Sequence, residues 1–158
     1  MGGLVRAAVL ALVLVAGSAA TAATYDLTPE GNARFLADFA ALKGVTKLPS
    51  GVMYRVVEAG SDGTSPISRW DMVTVEYKGW LVNGKIFDKS PPQETRTFTA
   101  ANLIPGWREA LMKMKTGDTW QLVIPADQAY GADGVGDVVP PDQTLVFTVR
   151  LVKVEYAP

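Results

Sequence analysis

Apolar and polar positions along the chain fall into three regimes. Residues 7–17, AAVLALVLVAG, are apolar or small throughout and show no period. Between Leu27 and Gly44 the apolar positions Phe35, Leu36, Phe39 and Leu42 recur at helical spacing. Thr28, Pro29 and Glu30 supply an N-cap, a first helical residue and a first-turn acid, and Gly44 supplies the stop. That stripe predicts a helix docked on the body of the protein; a dimerisation or client-binding face is its other use. From Lys47 on the period falls to two. Val52, Tyr54 and Val56 alternate in one segment, and Val73, Val75 and Tyr77 alternate against Met72, Thr74 and Glu76 in the next. The pair Asn83-Gly84 then signals a hairpin with two residues at positive φ. TRTFTAA reads as a short strand, TWQLVIP as another, and TLVFTVRLVKVEY as a long closing strand after a Gly/Asp/Pro-rich loop at 127–142. Among these strands PGWREALMKMKTGD is the one helical segment, with Trp107, Ala110, Leu111 and Met114 at i, i+3, i+4 and i+7. The expectation is an α+β domain, mainly antiparallel.

Composition sharpens that picture at the N-terminus. Arg6, the apolar run and the small residues SAATAAT follow the order of a secretory signal, with cleavage after Ala22 or Ala23. Residues 1–23 are therefore expected to be a signal peptide and the protein to be exported, the periplasm being the simplest compartment. An uncleaved anchor is the alternative, but a span needs about 20 apolar residues and this run is shorter. No membrane insertion is expected once the signal is removed. The remainder divides into a helical segment, 24–46, and a single domain, 47–158. With 15 Lys and Arg against 16 Asp and Glu and no basic block, nucleic acid is not an expected partner.

Two absences narrow the chemistry. There is no Cys, hence no disulfide or thiolate nucleophile, and no His, hence no Ser-His-Asp triad or imidazole base. The segment DGVGD lacks the spaced ligands and terminal Glu of a calcium loop. What remains unusual is NLIPGWREAL. Pro105 opens a helix, Gly106 lets the backbone pass close to a neighbour, and Trp107 follows in the first turn. By spacing alone Trp107 is a core residue. Its place in the first turn equally suits a ring at the end of the core, lining a cleft.

These residues stand in a recognisable set. Tyr-x-Gly, Gly-x-x-Phe-Asp, Leu-Ile-Pro-Gly-Trp, Ile-Pro, Ala-Tyr-Gly and Pro-Pro-x-x-x-Leu-x-Phe occur in that order between Leu48 and Tyr156. Together they resemble the FKBP-type peptidyl-prolyl cis/trans isomerases, in particular the exported bacterial type. The resemblance implies a curved antiparallel sheet of five or so strands wrapped around the short helix. It also implies a proline-binding pocket floored by Trp107 and walled by Tyr77, Phe87, Leu103 and Phe147, with Val138 and Val139 at the apolar pair before Pro-Pro. Asp88, Tyr130 and the Ile104 backbone N–H are implied as the polar, catalytic groups. On spacing alone Asp88 is a turn or cap acid, Tyr77 a cross-strand packing residue and Phe147 plain core.

The implied activity twists an X-Pro bond and changes no covalent bond, so no cofactor or metal is expected. Its partners would be proline-containing polypeptides, with the macrolides rapamycin and tacrolimus as inhibitors. A non-catalytic peptide-binding chaperone using the same cleft is the alternative. A monomer is expected, since residues 25–44 make barely one helix rather than a long dimerising arm. The sequence departs from the usual pattern at the rim: Arg96 stands where relatives carry an apolar residue, DKSPPQETR is about one residue short, and Val135 and Gly136-Asp137 replace His and Pro-Gly.

Overall fold

The computed structural model describes residues 25–61 and 63–158; the expected signal peptide and its cleavage sites lie outside them. Helix α1 (Pro29–Ala40) comes first, followed by strands β1 (Thr46–Lys47), β2 (Met53–Glu58), β3 (Met72–Leu81), β4 (Ile86–Lys89) and β5 (Arg96–Thr99). Helix α2 (Pro105–Leu111), β6 (Thr119–Ile124) and β7 (Leu145–Glu155) complete the chain, with short 3₁₀ turns at Ala100–Asn102 and Ala126–Gln128. All seven strands join one antiparallel sheet in the order β1-β2-β6-β7-β3-β4, with β5 also on β3. The α+β class and the antiparallel sheet agree with the sequence pattern. The two extra strands come from β1 and from a split edge, where β4 and β5 pair in turn with the same strand.

The period-two pattern sorts the strands onto two cores. Val73, Val75, Tyr77 and Leu81 of β3, Leu122 and Ile124 of β6, and Leu145, Phe147, Val149 and Leu151 of β7 face α2, which contributes Trp107, Ala110 and Leu111, with Met114 just beyond. The alternate positions Met53, Trp80, Val123 and Val146 face the other way and are covered by Tyr25, Phe35 and Phe39 of the α1 region. Helix α1 is thus docked on the sheet, as its stripe predicts. Its Thr28 side chain accepts from the Gly31 N–H, the expected N-cap. The helix closes at Ala40, before the expected stop; Leu42 and Val45 follow in turns around Gly44 at φ 83°.

A buried amide pair fixes α1 to the start of β7. Asn32 donates to Gln143 Oε1 at 3.1 Å and to the Thr28 carbonyl at 2.9 Å, and accepts from the Thr144 N–H at 2.8 Å. Gln143 in turn donates to the carbonyls of Leu27 and Pro141. The β3–β4 hairpin forms at the expected Asn83-Gly84, with a different turn. Gly84 alone has positive φ, and a three-residue loop closes through Gly84 N–H to Leu81 C=O and Leu81 N–H to Lys85 C=O. Val82 within that loop is buried against the α1 region.

Candidate active site

The candidate site lies at the N-terminal end of α2, and the three residues Pro105-Gly106-Trp107 explain its position. Proline at the first helical position starts the helix without wasting a hydrogen bond. A Cβ on Gly106 would lie 2.5 Å from Ile124 Cγ2, so only glycine lets the first turn seat against β6. That close seating lowers Trp107 into the sheet, where it is 4 % exposed. Its ring meets Tyr77 edge-on at 5.2 Å and Phe147 edge-on at 5.2 Å between centroids. Phe147 meets Phe87 edge-on at 5.5 Å, and Phe98 stands 6.4 Å from Trp107. Edge-to-face pairs of this kind hold one another's orientation as well as burying area. Trp107 Nε1 has no hydrogen-bond partner among the described residues, and the surrounding rings hold the indole.

Polar groups border the ring cage on the β4 side. The Tyr77 hydroxyl donates to Asp88 Oδ2 at 2.8 Å, and the Lys89 backbone N–H donates to Asp88 Oδ1 at 2.9 Å. Burial and the Asp88 hydrogen bond push the Tyr77 hydroxyl up to about 12. Burial also raises Tyr130, and the nearby Asp88 charge adds to it. Both phenols are therefore neutral donors at physiological pH. Tyr130 sits on the long loop after the second 3₁₀ turn, where Gly134 N–H donates back to its carbonyl and Val135 bridges Val139. Val139 is buried in the α2-side core, whereas its neighbour Val138 is 47 % exposed. The Ile104 N–H, at the N-cap of α2, has no protein acceptor among the described residues.

Of the residues singled out from sequence, Tyr77, Phe87, Leu103, Ile104, Trp107, Val139 and Phe147 thus pack in or against one core cluster. Asp88 bonds to it and Tyr130 stands at its edge. Three supporting residues carried no clear sequence signal. Arg108 Nη1 donates to the carbonyls of Ala101 and Leu103, fixing the turn that presents Ile104. The Ser90 hydroxyl accepts from the Tyr77 N–H at 3.1 Å while the Ser90 N–H donates to the Tyr77 carbonyl at 2.9 Å, clamping the edge that carries Asp88. Phe98 flanks both Tyr77 and Trp107, and alternation along TRTFTAA was its only clue.

An apolar ring cage with neutral hydroxyl donors and a fixed carboxylate suits the capture of an apolar ring and its flanking amides. The fold and site together define a sheet wrapped around a short helix, with a cage of aromatic rings at the helix N-terminus. The chain belongs to the FKBP-type peptidyl-prolyl cis-trans isomerase family, whose profile matches residues 63–152. It is 41 % identical over 124 residues to the outer membrane protein MIP of Legionella longbeachae, covering 78 % of this chain and 52 % of that protein. Against the FKBP-type peptidyl-prolyl cis-trans isomerase FkpA of Escherichia coli it is 46 % identical over 121 residues, covering 76 % and 44 %. Its fold matches the crystal structure of a Pseudomonas syringae peptidyl-prolyl cis-trans isomerase with TM-score 0.74 at 39 % identity, covering 80 % of this chain and 92 % of that one. The crystal structure of FkpA matches with TM-score 0.76 at 42 % identity, covering 82 % and 60 %. The chain spans about half the length of the curated relatives it matches.

Proposed function

We propose that the protein accelerates cis/trans isomerisation of X-Pro bonds in exported polypeptides. The observation that carries this reading is the ring cage over Trp107 with the Tyr77–Asp88 hydrogen bond at its border. An X-Pro bond resists rotation by about 18–20 kcal/mol because twisting breaks amide resonance. As the bond twists, the C–N bond loses double-bond character and the carbonyl oxygen loses negative charge. A water-poor aromatic site disfavours the polar planar amide more than the twisted one, which lowers the barrier. Raising a rate from about 10⁻² to about 10³ per second takes roughly 7 kcal/mol. Desolvation, one fixed twisted pose and two or three hydrogen bonds suffice for that amount.

Trp107, Phe147, Phe87 and Tyr77 hold the proline ring in this reading, with Leu103, Val138 and Val139 flanking the chain. The Tyr130 hydroxyl and Ile104 N–H bind the peptide carbonyls on either side. Asp88, held by Tyr77, sets the potential at the rim. The groups need no proton transfer, in keeping with a chain that has no His or Cys. Rapamycin and tacrolimus would occupy the same cage. The signal-like first residues support periplasmic export, and no helix among the described residues is long and apolar enough to cross a membrane. Docking of the α1 stripe on the sheet supports a monomer.

Protease-coupled conversion of a short Xaa-Pro-Phe peptide tests this. Wild type should accelerate it, rapamycin should block it, and Asp88→Val and Tyr130→Phe should each lower kcat/KM about ten-fold, the value of one lost electrostatic contact of about 1.4 kcal/mol. A folded protein that binds the peptide without accelerating it would instead be a peptide-binding chaperone.

A further inference from the structure

Arg96 is out of keeping with its place in the sheet. The β5 register puts Arg96 opposite Val75 and Phe98 opposite Val73, and both valines are fully buried on the α2 side. Thr97 takes the other side, where its hydroxyl meets that of Thr74 at 2.8 Å. Arg96 therefore leaves the sheet on the same face as Phe98, whose ring stands 6.2 Å from Tyr77. It is the last inward-facing position of β5 next to the 91–95 excursion, and it is exposed. Its charge reaches the Tyr77 hydroxyl, where it opposes the upward push from burial and Asp88.

The guanidinium is also uncommitted. Arg34 lies over the Tyr25 ring, Arg55 donates to Gln121, Arg69 lies over Trp70 and Arg108 holds two carbonyls. Arg150 is in register with Glu76 on the opposite face. Arg96 forms no ion pair among the described residues, and both oxygens of the nearby Asp88 are already bonded, to Tyr77 and to the Lys89 N–H. A planar cation left unpaired beside a peptide cleft is a ready partner for a carboxylate, which it can take in a two-point contact.

Resting on the isomerase reading, we propose that Arg96 is a specificity-determining residue that makes the cleft favour polypeptides with an acidic residue next to the proline. An extended chain advances about 3.3 Å per residue, so a side chain adjacent to a proline seated on Trp107 passes within reach of a guanidinium two residues along β5 from Phe98, at the next position on the same face. Asp88 repels the same carboxylate, but its charge is shared with two donors. The surplus is a partly exposed ion pair, screened by salt.

Peptides differing only in Glu or Gln before the proline, and a second pair differing after it, supply the test, with a Leu-Pro peptide as reference. Turnover is measured alongside binding by NMR titration of the protein. In at least one pair wild type should favour Glu over Gln about three-fold at low salt. The ratio should fall to one in Arg96→Ala, invert in Arg96→Glu, survive in part in Arg96→Lys and shrink in 0.5 M salt. Because the readout is a ratio, a general loss in any variant cancels. A wild-type ratio of one or less in both pairs, or a Glu preference unchanged in Arg96→Ala, overturns the proposal. Failure to turn over any peptide, with the Arg96-dependent Glu preference kept in binding, removes the isomerase reading and leaves the acidic preference standing.

Discussion

At the scale of single residues, the cleft is governed by what cannot be enlarged and what cannot ionise. A Cβ on Gly79 would lie 2.7 Å from Phe147 Cε1 and 2.9 Å from Phe87 Cζ, splitting the two rings of the wall. Gly79→Ala should cost about 1–3 kcal/mol as overpacking in urea unfolding and should lower kcat/KM as well. Burial and the Asp88 bond raise Tyr77 to about 12, above its unfolded value near 10. The neutral phenol is thus favoured by folding: that stability is complete below about pH 10 and is lost as pH rises from 10 towards 12. Turnover should be flat between pH 6 and 9 and fall above 10; a bell centred near 6.5 would contradict a site without imidazole. Trp107 is legible from a family motif and helical spacing, and Tyr77 from a family motif and strand alternation. Arg108 and Ser90 are not, since their partners are main-chain groups that only the folded chain brings near.

Among elements, α1 shows where a pattern speaks and where it is silent. Phe35 and Phe39 announce a docking face, and they are buried against Trp80, Val82, Val123 and Val146. Asn32 on the same helix gives no such signal, because its partners Gln143 and Thr144 lie more than 100 residues away. Three hydrogen bonds to a buried amide predict a cost of about 2–3 kcal/mol for Asn32→Ala, while the half-buried Leu36→Ala should cost about 1 kcal/mol or less. The urea midpoints of the two variants decide this, and equal midpoints would contradict it. Strand β1, at two residues, is too short for period two to show, whereas the four-residue β4 and β5 are legible from the Asn83-Gly84 hairpin signal and from TRTFTAA. The turn at Asn83-Gly84 is legible as a hairpin, but its three-residue loop is not.

For the whole molecule, one sheet carries both cores, so the N-terminal helix and the cleft should melt together. Trp80 reports the α1 side and Trp107 the cleft side. Variants keeping one of these tryptophans should show coincident urea transitions by fluorescence; an earlier transition at Trp80 would make α1 a separate unit. The central claim is that this cleft isomerises X-Pro bonds rather than merely holding them. Exchange NMR of an Xaa-Pro-Phe peptide at equilibrium, with the protein at catalytic concentration, tests that without a coupling protease. Exchange cross-peaks between the cis and trans resonances, weakened about ten-fold by Tyr130→Phe, are the predicted result. Peptide resonances that shift or broaden on binding, with no cis–trans exchange, would contradict it.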